Sequence, residues 1–383
     1  MSPTALTSRL QACIRTRDLH GALEAAVTLH RQNHAEHAGR AYASILRTWP
    51  GQPEAENGRA MLLAATGRHA EAFDVLQRLC AAHPDNPGLW MNLGSVALGA
   101  DHTDEAVIAF ESAIRLNPAY ADAYHSLCDA LLRLGRADEA VAACDRSMVA
   151  TGRDFHALAF KAHALRDAGR EDESGVLLDY AHYLHTHLFE PPEGFADVAS
   201  FNAACARYVQ KHPTLAANVM STEHGKHTGE LLYPFGGEME GLRAVINNAV
   251  RWYMQRIPDD PAHPMTRWQP LEWKITSWGV VMFNRGHERP HIHPKGWLSG
   301  VFYLQLPDLI DDPARRPEGW LEFGRPTREL HVRTAPALRY CQPCYGAMFL
   351  FPSYFYHGTV PFRSEARRVC VAFDIEPVRF RNP

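Results

Sequence analysis

The spacing of apolar and polar residues changes along the chain and predicts two kinds of structure. Residues 198–210 and 242–254 predict helices, and the latter repeats apolar positions at i, i+3 and i+4, the spacing of a helix with one buried face. Short apolar runs, rich in β-branched and aromatic residues and separated by glycine and proline clusters, follow at 275–283, 298–306, 348–351 and 369–373. These runs predict the strands of an antiparallel sandwich or barrel.

Proline divides the chain near residue 190. Six of the 26 prolines lie in residues 1–190, and the other 20 lie beyond them. Because proline is excluded from helix interiors but tolerated in turns and at sheet edges, we expect helices first and strands with loops afterwards. The sequence therefore predicts a multidomain α + β protein with a helical domain at 1–190 and a sheet domain with flanking helices at 195–383.

The helical part repeats itself every 34 residues. Glycine permits a tight turn between two helices, alanine lets the helices approach closely, and proline ends the second helix. Segments such as GRHAEAFDVLQRLCAAHPDN resemble the tetratricopeptide repeat (TPR), whose helix pairs stack into an α-solenoid with a concave binding face. We expect three clear repeats, with divergent copies at about 3–36 and 153–187. The residues that keep the period are Pro50, Pro84 and Pro118; Gly67, Gly135 and Gly169, with Asp101 in the remaining place; Ala38, Ala72, Ala106 and Ala140; and Glu71, Glu105, Glu139 and Glu173.

Composition and charge exclude several classes of protein. The 383 residues are 46% hydrophobic and 21% charged, as expected of folded domains. A net charge of −4 and a pI near 6.6 argue against a nucleic-acid-binding surface, and no apolar stretch is long enough to cross a membrane. The first residues lack the features of a signal peptide, and the eight scattered cysteines fit a reducing cytosol. We therefore expect a cytoplasmic protein. The sequence leaves its oligomeric state open, and a homodimer is one of the states it allows.

Three histidines in the predicted sheet domain form a candidate metal site. His291 and His293 project from one face if their segment is extended, because side chains alternate along a strand. His357 ends another apolar run, and a barrel would bring it to the same ion. Three ligands leave coordination positions open for a chelating co-substrate and O₂, as oxygen-activating iron requires. An HxH pattern alone is weak support in a chain with 22 histidines.

Two adjacent arginines strengthen this interpretation. Arg367 and Arg368 precede the last apolar run, and a guanidinium matches a substrate carboxylate through paired hydrogen bonds. We expect Arg368 to point into the barrel and Arg367 to be a solvated surface charge.

The order of several short blocks resembles a known family. FNAACARYVQKHPTL, HTGELL, HIHP, SGVFYL, EGWLEFGRP, FLFPSYFYHGTVPF and RRVCVAF follow one another within 195–378. They resemble the 2-oxoglutarate- and Fe(II)-dependent oxygenases, in particular the bacterial and phage branch related to prolyl hydroxylases, which is often fused to tetratricopeptide repeats. The resemblance implies a double-stranded β-helix, or jelly roll, in which His291, His293 and His357 hold Fe(II). It also implies that Arg368 binds the distal carboxylate of 2-oxoglutarate, with Tyr303 as a candidate hydroxyl partner.

Two positions depart from the family pattern. His293 stands where the wider superfamily has a carboxylate ligand, although the branch in question often has histidine there. If His293 were not a ligand, Glu288 and Glu322 would be the nearest anionic candidates. Cys370 stands where related enzymes often have a hydroxyl residue, and a thiol is a weaker hydrogen-bond donor.

A few other residues could carry chemistry but have an ordinary structural interpretation. Cys341 and Cys344 form a lone CxxC, which we interpret as part of a loop rather than as a redox or zinc site. His287 is a competing ligand that an extended chain would place far from His293. Lys295 and Trp297 are equally compatible with a substrate entrance and with a capping loop.

The sequence thus leads to one functional hypothesis and two alternatives. The leading hypothesis is a dioxygenase that uses Fe(II), 2-oxoglutarate and O₂ to hydroxylate a C–H bond of a peptide or protein recruited by the repeats. One alternative is a non-catalytic adaptor whose barrel is inert or binds zinc. The other is a hydroxylase of a small metabolite.

Overall fold

A computed structural model describes residues 1–217, 222–232 and 237–380. The chain forms two compact units, Met1–Thr151 and Gly152–Pro383.

The first unit consists of helices throughout its described length. Its helices pack in chain order, each against the next, around a core rich in alanine and leucine. The alanines at 38, 72, 106 and 140 are completely buried, as close packing of the helix pairs requires. The helices are α1 (Pro3–Arg15), α2 (Leu19–Arg31), α3 (Ala35–Thr48), α4 (Pro53–Ala65), α5 (His69–Ala82), α6 (Pro87–Gly99), α7 (Thr103–Leu116), α8 (Ala121–Leu134) and α9 (Ala137–Thr151).

The turns inside the repeats share one backbone conformation. Gly67, Asp101 and Gly135 all have a left-handed φ, of 80°, 61° and 76°. Aspartate and asparagine tolerate this conformation better than most side chains, which explains how Asp101 replaces glycine. Asn33 has a φ of 59° and extends the series one period towards the N terminus.

The position of Asn33 corrects the expected limits of the first repeat. It lies between α2 and α3, so the leading helix pair spans 19–48 and not the predicted 3–36. Helix α1 precedes this pair. Sequence reasoning missed the repeat boundary because asparagine stands in the glycine position.

Antiparallel strands form two sheets in the described part of the second unit. The larger sheet has the order β1-β8-β5-β10-β4-β3-β2 and the smaller one β7-β6-β9. Neighbours that are distant in sequence are typical of a jelly roll, so the predicted fold class is confirmed. Each predicted strand coincides with β4, β5, β8 or β10. The strands are β1 (His185–Leu188), β2 (Ala216–Ala217), β3 (Thr222–Glu230), β4 (Pro270–Glu288), β5 (Leu298–Gln305), β6 (Leu321–Phe323), β7 (Arg339–Cys341), β8 (Ala347–Pro352), β9 (His357–Thr359) and β10 (Arg368–Phe380).

Helices accompany the sheets, and two of them are those predicted from periodicity. A side chain at Gly279 of β4 would place its Cβ 2.4 Å from Val209, so glycine allows α13 to lie directly on the sheet. None of the helices in the described ranges is long and apolar enough to cross a membrane. The helices are α10 (Phe155–Asp167), α11 (Glu171–Leu177), α12 (Tyr180–Tyr183), α13 (Val198–Lys211), α14 (Glu238–Met254) and α15 (Pro264–Arg267).

Residues 152–190 belong to the compact sheet unit, although the predicted domain boundary lay near residue 190. Strand β1 pairs with β8, where its backbone groups satisfy an edge of the larger sheet. The Tyr354 hydroxyl donates a hydrogen bond to the Leu177 carbonyl of α11 at 2.7 Å. Helices α10 and α11 nevertheless continue the repeat pattern, with Gly169 between them at a φ of 73°.

Helix α10 carries a buried histidine that links the stability of this unit to pH. His163 is 3% exposed and packs edge-on against Tyr356. Burial, aided by the nearby Arg166, lowers the pKa of His163 to about 4. Because this pKa lies below that of an unfolded chain, stability is fully present above about pH 6.5 and declines as the pH falls towards 4.

We expect His163→Phe to reduce the loss of stability that the native protein shows between pH 7 and pH 5. At pH 5 the histidine is protonated in the unfolded chain but neutral in the folded protein, so releasing this proton on folding costs about 2 kcal/mol, and phenylalanine does not titrate. Urea unfolding followed by tryptophan fluorescence would measure this, since six of the eight tryptophans lie in the second unit. Equal pH dependence in the two proteins would contradict the assignment.

Candidate metal centre

The three histidines lie where the smaller sheet meets the end of the larger one. His291 and His357 form an isolated antiparallel bridge, with a hydrogen bond of 3.0 Å in each direction between their backbones. The His293 amide donates to the Ser353 carbonyl, just beyond β8. The extended segment before β5 and the start of β9 therefore fix all three backbones.

This arrangement brings three imidazoles around one point. One ring nitrogen of each of His291, His293 and His357 lies within 4.8 Å of those of the other two. The ring centroids are 4.4 Å apart for His291 and His357, 4.9 Å for His291 and His293, and 5.1 Å for His293 and His357. Among the described residues, this cluster has the composition and spacing of a metal site.

Hydrogen bonds at Nδ1 determine which nitrogen of two of the rings carries a free lone pair. Nδ1 of His291 lies 2.7 Å from the Arg289 carbonyl, and Nδ1 of His357 lies 2.9 Å from the Phe355 carbonyl. A carbonyl oxygen can only accept, so each Nδ1 carries the proton and Nε2 retains its lone pair. Metal ligands have this tautomer.

The third ring is oriented by a carboxylate. Nδ1 of His293 lies 2.9 Å from Oδ2 of Asp374, which is buried on β10. Oδ1 of Asp374 accepts a 2.6 Å hydrogen bond from Ser299, and the Ser299 hydroxyl is 2.9 Å from that of Ser353. A carboxylate behind a ligating histidine fixes the ring and increases its basicity.

Burial keeps two of the rings neutral. Desolvation, together with the neighbouring His293, lowers the pKa of His291 to about 4. The pKa of His357 also lies well below its usual range, chiefly because of its burial. Neutral imidazoles can bind a cation at neutral pH without first losing a proton.

Arg368 lies at the start of β10 and points inwards. It is 1% exposed, and its Nη2 donates a 3.1 Å hydrogen bond to the Tyr303 hydroxyl. Its Nη1 contacts only the sulfur atoms of Met282 and Cys370, and its Nε has no hydrogen-bond partner among the described residues. Tyr303 is completely buried, and burial raises the pKa of its hydroxyl. A buried guanidinium that lacks an acidic partner is costly unless an anion binds beside it.

One cavity connects these groups. It has a volume of about 570 Å³, and His291, His293, His357 and Arg368 all contribute to its wall. Three nitrogen lone pairs at one end fit a divalent transition metal. The unpaired guanidinium fits a carboxylate, so the residues present suit both Fe(II) and 2-oxoglutarate.

The anionic alternatives to His293 lie outside the cluster of ring nitrogens. Glu322 on β6 forms an ion pair with Arg325 at 2.5 Å. Glu288 lines the cavity, but its Oε1 accepts hydrogen bonds from Thr222 at 2.5 Å and from His227 at 3.0 Å.

The other candidates from the sequence lie away from the metal centre. Arg367 is exposed and donates to Gln210, in contrast to the neighbouring Arg368. His287 lies on β4 with its ring nitrogen 3.6 Å from Glu223. Trp297 is completely buried and donates to the Met265 carbonyl, so it belongs to the core and not to an entrance.

The remaining candidate residues from the sequence lie at or near the surface. Lys295 is exposed beside the histidine segment. Cys341 lies half-buried on β7 and Cys344 is exposed beyond it, and both have free thiols.

Sequence reasoning missed Asp374 and its serine partner. Asp374 lies six residues after Arg368, so alternation along β10 places both side chains, with those of Cys370 and Ala372, on the cavity wall. That alternation was available in the sequence. The contact with Ser299 was not, because it depends on the register that pairs these two residues across β10 and β5.

Parts of the chain match known protein families. Residues 54–96 and 91–154 match the tetratricopeptide repeat, and residues 276–374 match the family described as "Putative 2OG-Fe(II) oxygenase". The latter match spans all three histidines, Arg368 and Asp374.

Individual relatives share limited parts of the chain. Protein FlbA of Caulobacter vibrioides is 31% identical over 122 residues, which are 32% of this chain and 20% of FlbA. The TPR repeat-containing thioredoxin TTL4 of Arabidopsis thaliana is 34% identical over 74 residues, which are 19% of this chain and 11% of TTL4. The chain thus spans about a fifth or less of these relatives.

Solved structures resemble the repeat fold at low identity. The MamA protein has 22% identity and a TM-score of 0.38, covering 42% of this chain and 87% of MamA. YrrB, described as a TPR protein with an unusual peptide-binding site, has 19% identity and a TM-score of 0.39, covering 47% of this chain and 92% of YrrB.

Helix pairs of one period, followed by two antiparallel sheets that gather three histidines and a buried arginine, define a repeat protein with a C-terminal jelly roll that carries a candidate metal centre. The family matches agree with this assignment. The chain carries tetratricopeptide repeats and a C-terminal domain that matches the family described as "Putative 2OG-Fe(II) oxygenase".

We expect Asp374→Asn to weaken metal binding about 10- to 100-fold, the usual effect of removing a carboxylate behind a ligating histidine. The amide lacks the negative charge that orients His293 and increases its basicity. Co(II) titration followed by absorbance would measure the affinity. Asp308→Asn, at an exposed position, serves as the control, and equal affinities in both variants would show that Asp374 does not support the site.

Proposed function

We propose that the protein is a dioxygenase that uses Fe(II), 2-oxoglutarate and O₂ to hydroxylate a C–H bond. The observation that carries this proposal is that one cavity is lined by three clustered imidazoles and by a buried arginine that has no acidic partner among the described residues. His291, His293 and His357 would hold Fe(II). Arg368, assisted by the Tyr303 hydroxyl, would bind the distal carboxylate of 2-oxoglutarate.

Hydroxylation of a C–H bond by O₂, coupled to conversion of 2-oxoglutarate to succinate and CO₂, is the chemistry that Fe(II) supplies in such a site when bound. The chain's own contribution is to position the metal and the co-substrate and to exclude water from them. The contacts at Nδ1 of the three histidines, with two carbonyls and one carboxylate, would fix the ring planes. Arg368 would set the direction in which a dicarboxylate lies. The apolar side chains of Val280, Val301 and Phe351 limit water in the cavity.

Charge supports the co-substrate assignment. Three neutral imidazoles leave the two positive charges of Fe(II) uncompensated by any ligand. A dianionic chelator supplies that compensation, and its second carboxylate removes the cost of the unpaired Arg368 charge. A ligand set made only of histidines and the buried Arg368 guanidinium, which has no acidic partner among the described residues, therefore both favour a dianionic molecule.

We expect His291→Ala or His357→Ala to lower 2-oxoglutarate-to-succinate conversion by at least about 100-fold, because each removes a metal ligand. Succinate formation with added Fe(II) would measure this. His287→Ala is the matched control, since its ring lies on β4, outside the ligand cluster, and contacts Glu223. Undiminished turnover in the ligand variants, or binding of zinc without any turnover by the native protein, would overturn the proposal.

The preferred substrate class is a peptide or protein recruited by the repeats. Stacked tetratricopeptide helix pairs present a concave face that suits an extended chain, and one related structure is described as having a peptide-binding site. Recruitment raises the local concentration of the target at the metal centre. A small metabolite would need no such surface.

We expect a chain of residues 152–383 to convert 2-oxoglutarate at the native basal rate but to hydroxylate protein targets several-fold less efficiently. The cut falls at residue 152 because residues 152–190 pack within the sheet unit. Mass spectrometry of a dialysed cell extract after incubation would detect the added oxygen. Stimulation of turnover by the small-molecule fraction instead of the dialysed proteins would favour a metabolite substrate.

A further inference from the structure

A buried carboxylate beside the metal centre has one oxygen without a partner. Glu288 ends β4, and its side chain is 13% exposed. Its Oε1 accepts hydrogen bonds from Thr222 and His227, whereas its Oε2 is inaccessible to solvent and has no hydrogen-bond partner among the described residues. An unmade hydrogen bond at a buried charged oxygen is costly, so this position favours a donor from a bound molecule.

Glu288 is ionised despite its burial. Desolvation would raise its pKa, but the hydrogen bonds from His227 and Thr222 and the nearby His291 together bring that pKa down to about 2. The carboxylate therefore carries a full negative charge at neutral pH.

Glu288 lines two spaces beside the candidate metal centre. It lines the cavity with the three histidines and, together with His291, also lines a groove of about 1050 Å³. The charged residues of that groove include Arg325 and Glu322, which pair with each other, and Arg289, which lies 3.8 Å from Glu223. A side chain in this groove therefore lies against a wall that Glu288 and His291 share.

The charge of the whole cavity indicates what such a side chain would carry. Three carboxylates, those of Glu230, Glu288 and Asp374, line it with a single guanidinium, that of Arg368. The carboxylate of Glu230 accepts from the amide and hydroxyl of Ser277, and Asp374 binds His293. Since the charges of Fe(II) and 2-oxoglutarate cancel, the loaded cavity remains anionic. A cation restores the balance.

We propose that Glu288 is a specificity residue that binds a cationic, hydrogen-bond-donating group of the substrate, an ammonium or a guanidinium, beside the metal centre. This inference rests on the proposed function, because that function makes the three histidines a metal centre. Its test measures binding and does not require turnover. The bound cation would donate to Oε2 while Thr222 and His227 hold Oε1. Its neighbouring carbon atoms would then lie on the metal side of the cavity.

Calorimetry under anaerobic conditions tests the proposal without turnover. The full-length protein, with and without Fe(II) and 2-oxoglutarate, would be titrated with Nα-acetyl-arginine amide and Nα-acetyl-lysine amide. Nα-acetyl-citrulline amide and Nα-acetyl-norleucine amide are the neutral counterparts. Free arginine and lysine, compared with the capped forms, distinguish a metabolite from a peptide side chain. We expect at least one cationic probe to bind about 10-fold or more tightly than its neutral counterpart.

The variant Glu288→Gln should abolish this preference while retaining Fe(II) and 2-oxoglutarate binding. Glu272→Gln is the matched control, because it makes the same change at an exposed position of the same strand. Equal binding of cationic and neutral probes, or a preference that survives Glu288→Gln, would overturn the inference. Loss of Fe(II) in Glu288→Gln would also overturn it, by showing that Glu288 is a metal ligand.

The two proposals can fail separately. If the native protein binds no Fe(II) or 2-oxoglutarate but still prefers the cationic probes through Glu288, the oxygenase assignment fails and the cation site stands. If it converts 2-oxoglutarate but shows no cation preference, only the role of Glu288 is rejected.

Discussion

The polar contact at Nδ1 of each histidine is the interaction on which the candidate site depends. Two backbone carbonyls accept hydrogen bonds from His291 and His357, and the Asp374 carboxylate lies 2.9 Å from Nδ1 of His293. Without them the rings could rotate or exchange tautomers, and three lone pairs would not converge. The site is therefore a property of backbone positions as much as of the imidazoles themselves, because Arg289 and Phe355 contribute only their carbonyls.

Sheet topology supplies those backbone positions. The bridge between His291 and His357 joins two segments far apart in sequence. The pairing of β10 with β5 and β4 places Arg368 and Asp374 on the wall of one cavity and Tyr303 beside Arg368. Glycine also permits a close contact between neighbouring strands of the larger sheet at Gly300, where a side chain would collide with the ring of its cross-strand partner Phe373. Packing and site geometry are thus set by the same strands.

Much of this organisation can be predicted from the sequence, for identifiable reasons. The 34-residue period reveals the helix pairs, because the turns and close contacts of each pair restrict the residue type at fixed positions. The HxH pattern and Arg368 indicate the cavity, because side chains alternate regularly along a strand. Asn33 escapes detection because an amide side chain replaces glycine in a left-handed turn. Asp374 is positioned by a register across strands, and the Glu288 cluster by contacts more than 60 residues apart. Such distances leave no local signal.

The helix pair α10–α11 belongs to the repeats by its sequence but to the sheet unit by its packing. This combination limits how the number of repeats can change. Its sequence continues the repeat period, yet Leu177 and β1 are tied to the sheet through Tyr354 and β8. Copies upstream of residue 152 can be gained or lost in whole periods without disturbing those bonds, whereas the final copy cannot be exchanged for a generic one. Variation in repeat number among natural or engineered relatives should accordingly be confined to the copies before it, which leaves the number of repeats adjustable while the sheet unit stays intact.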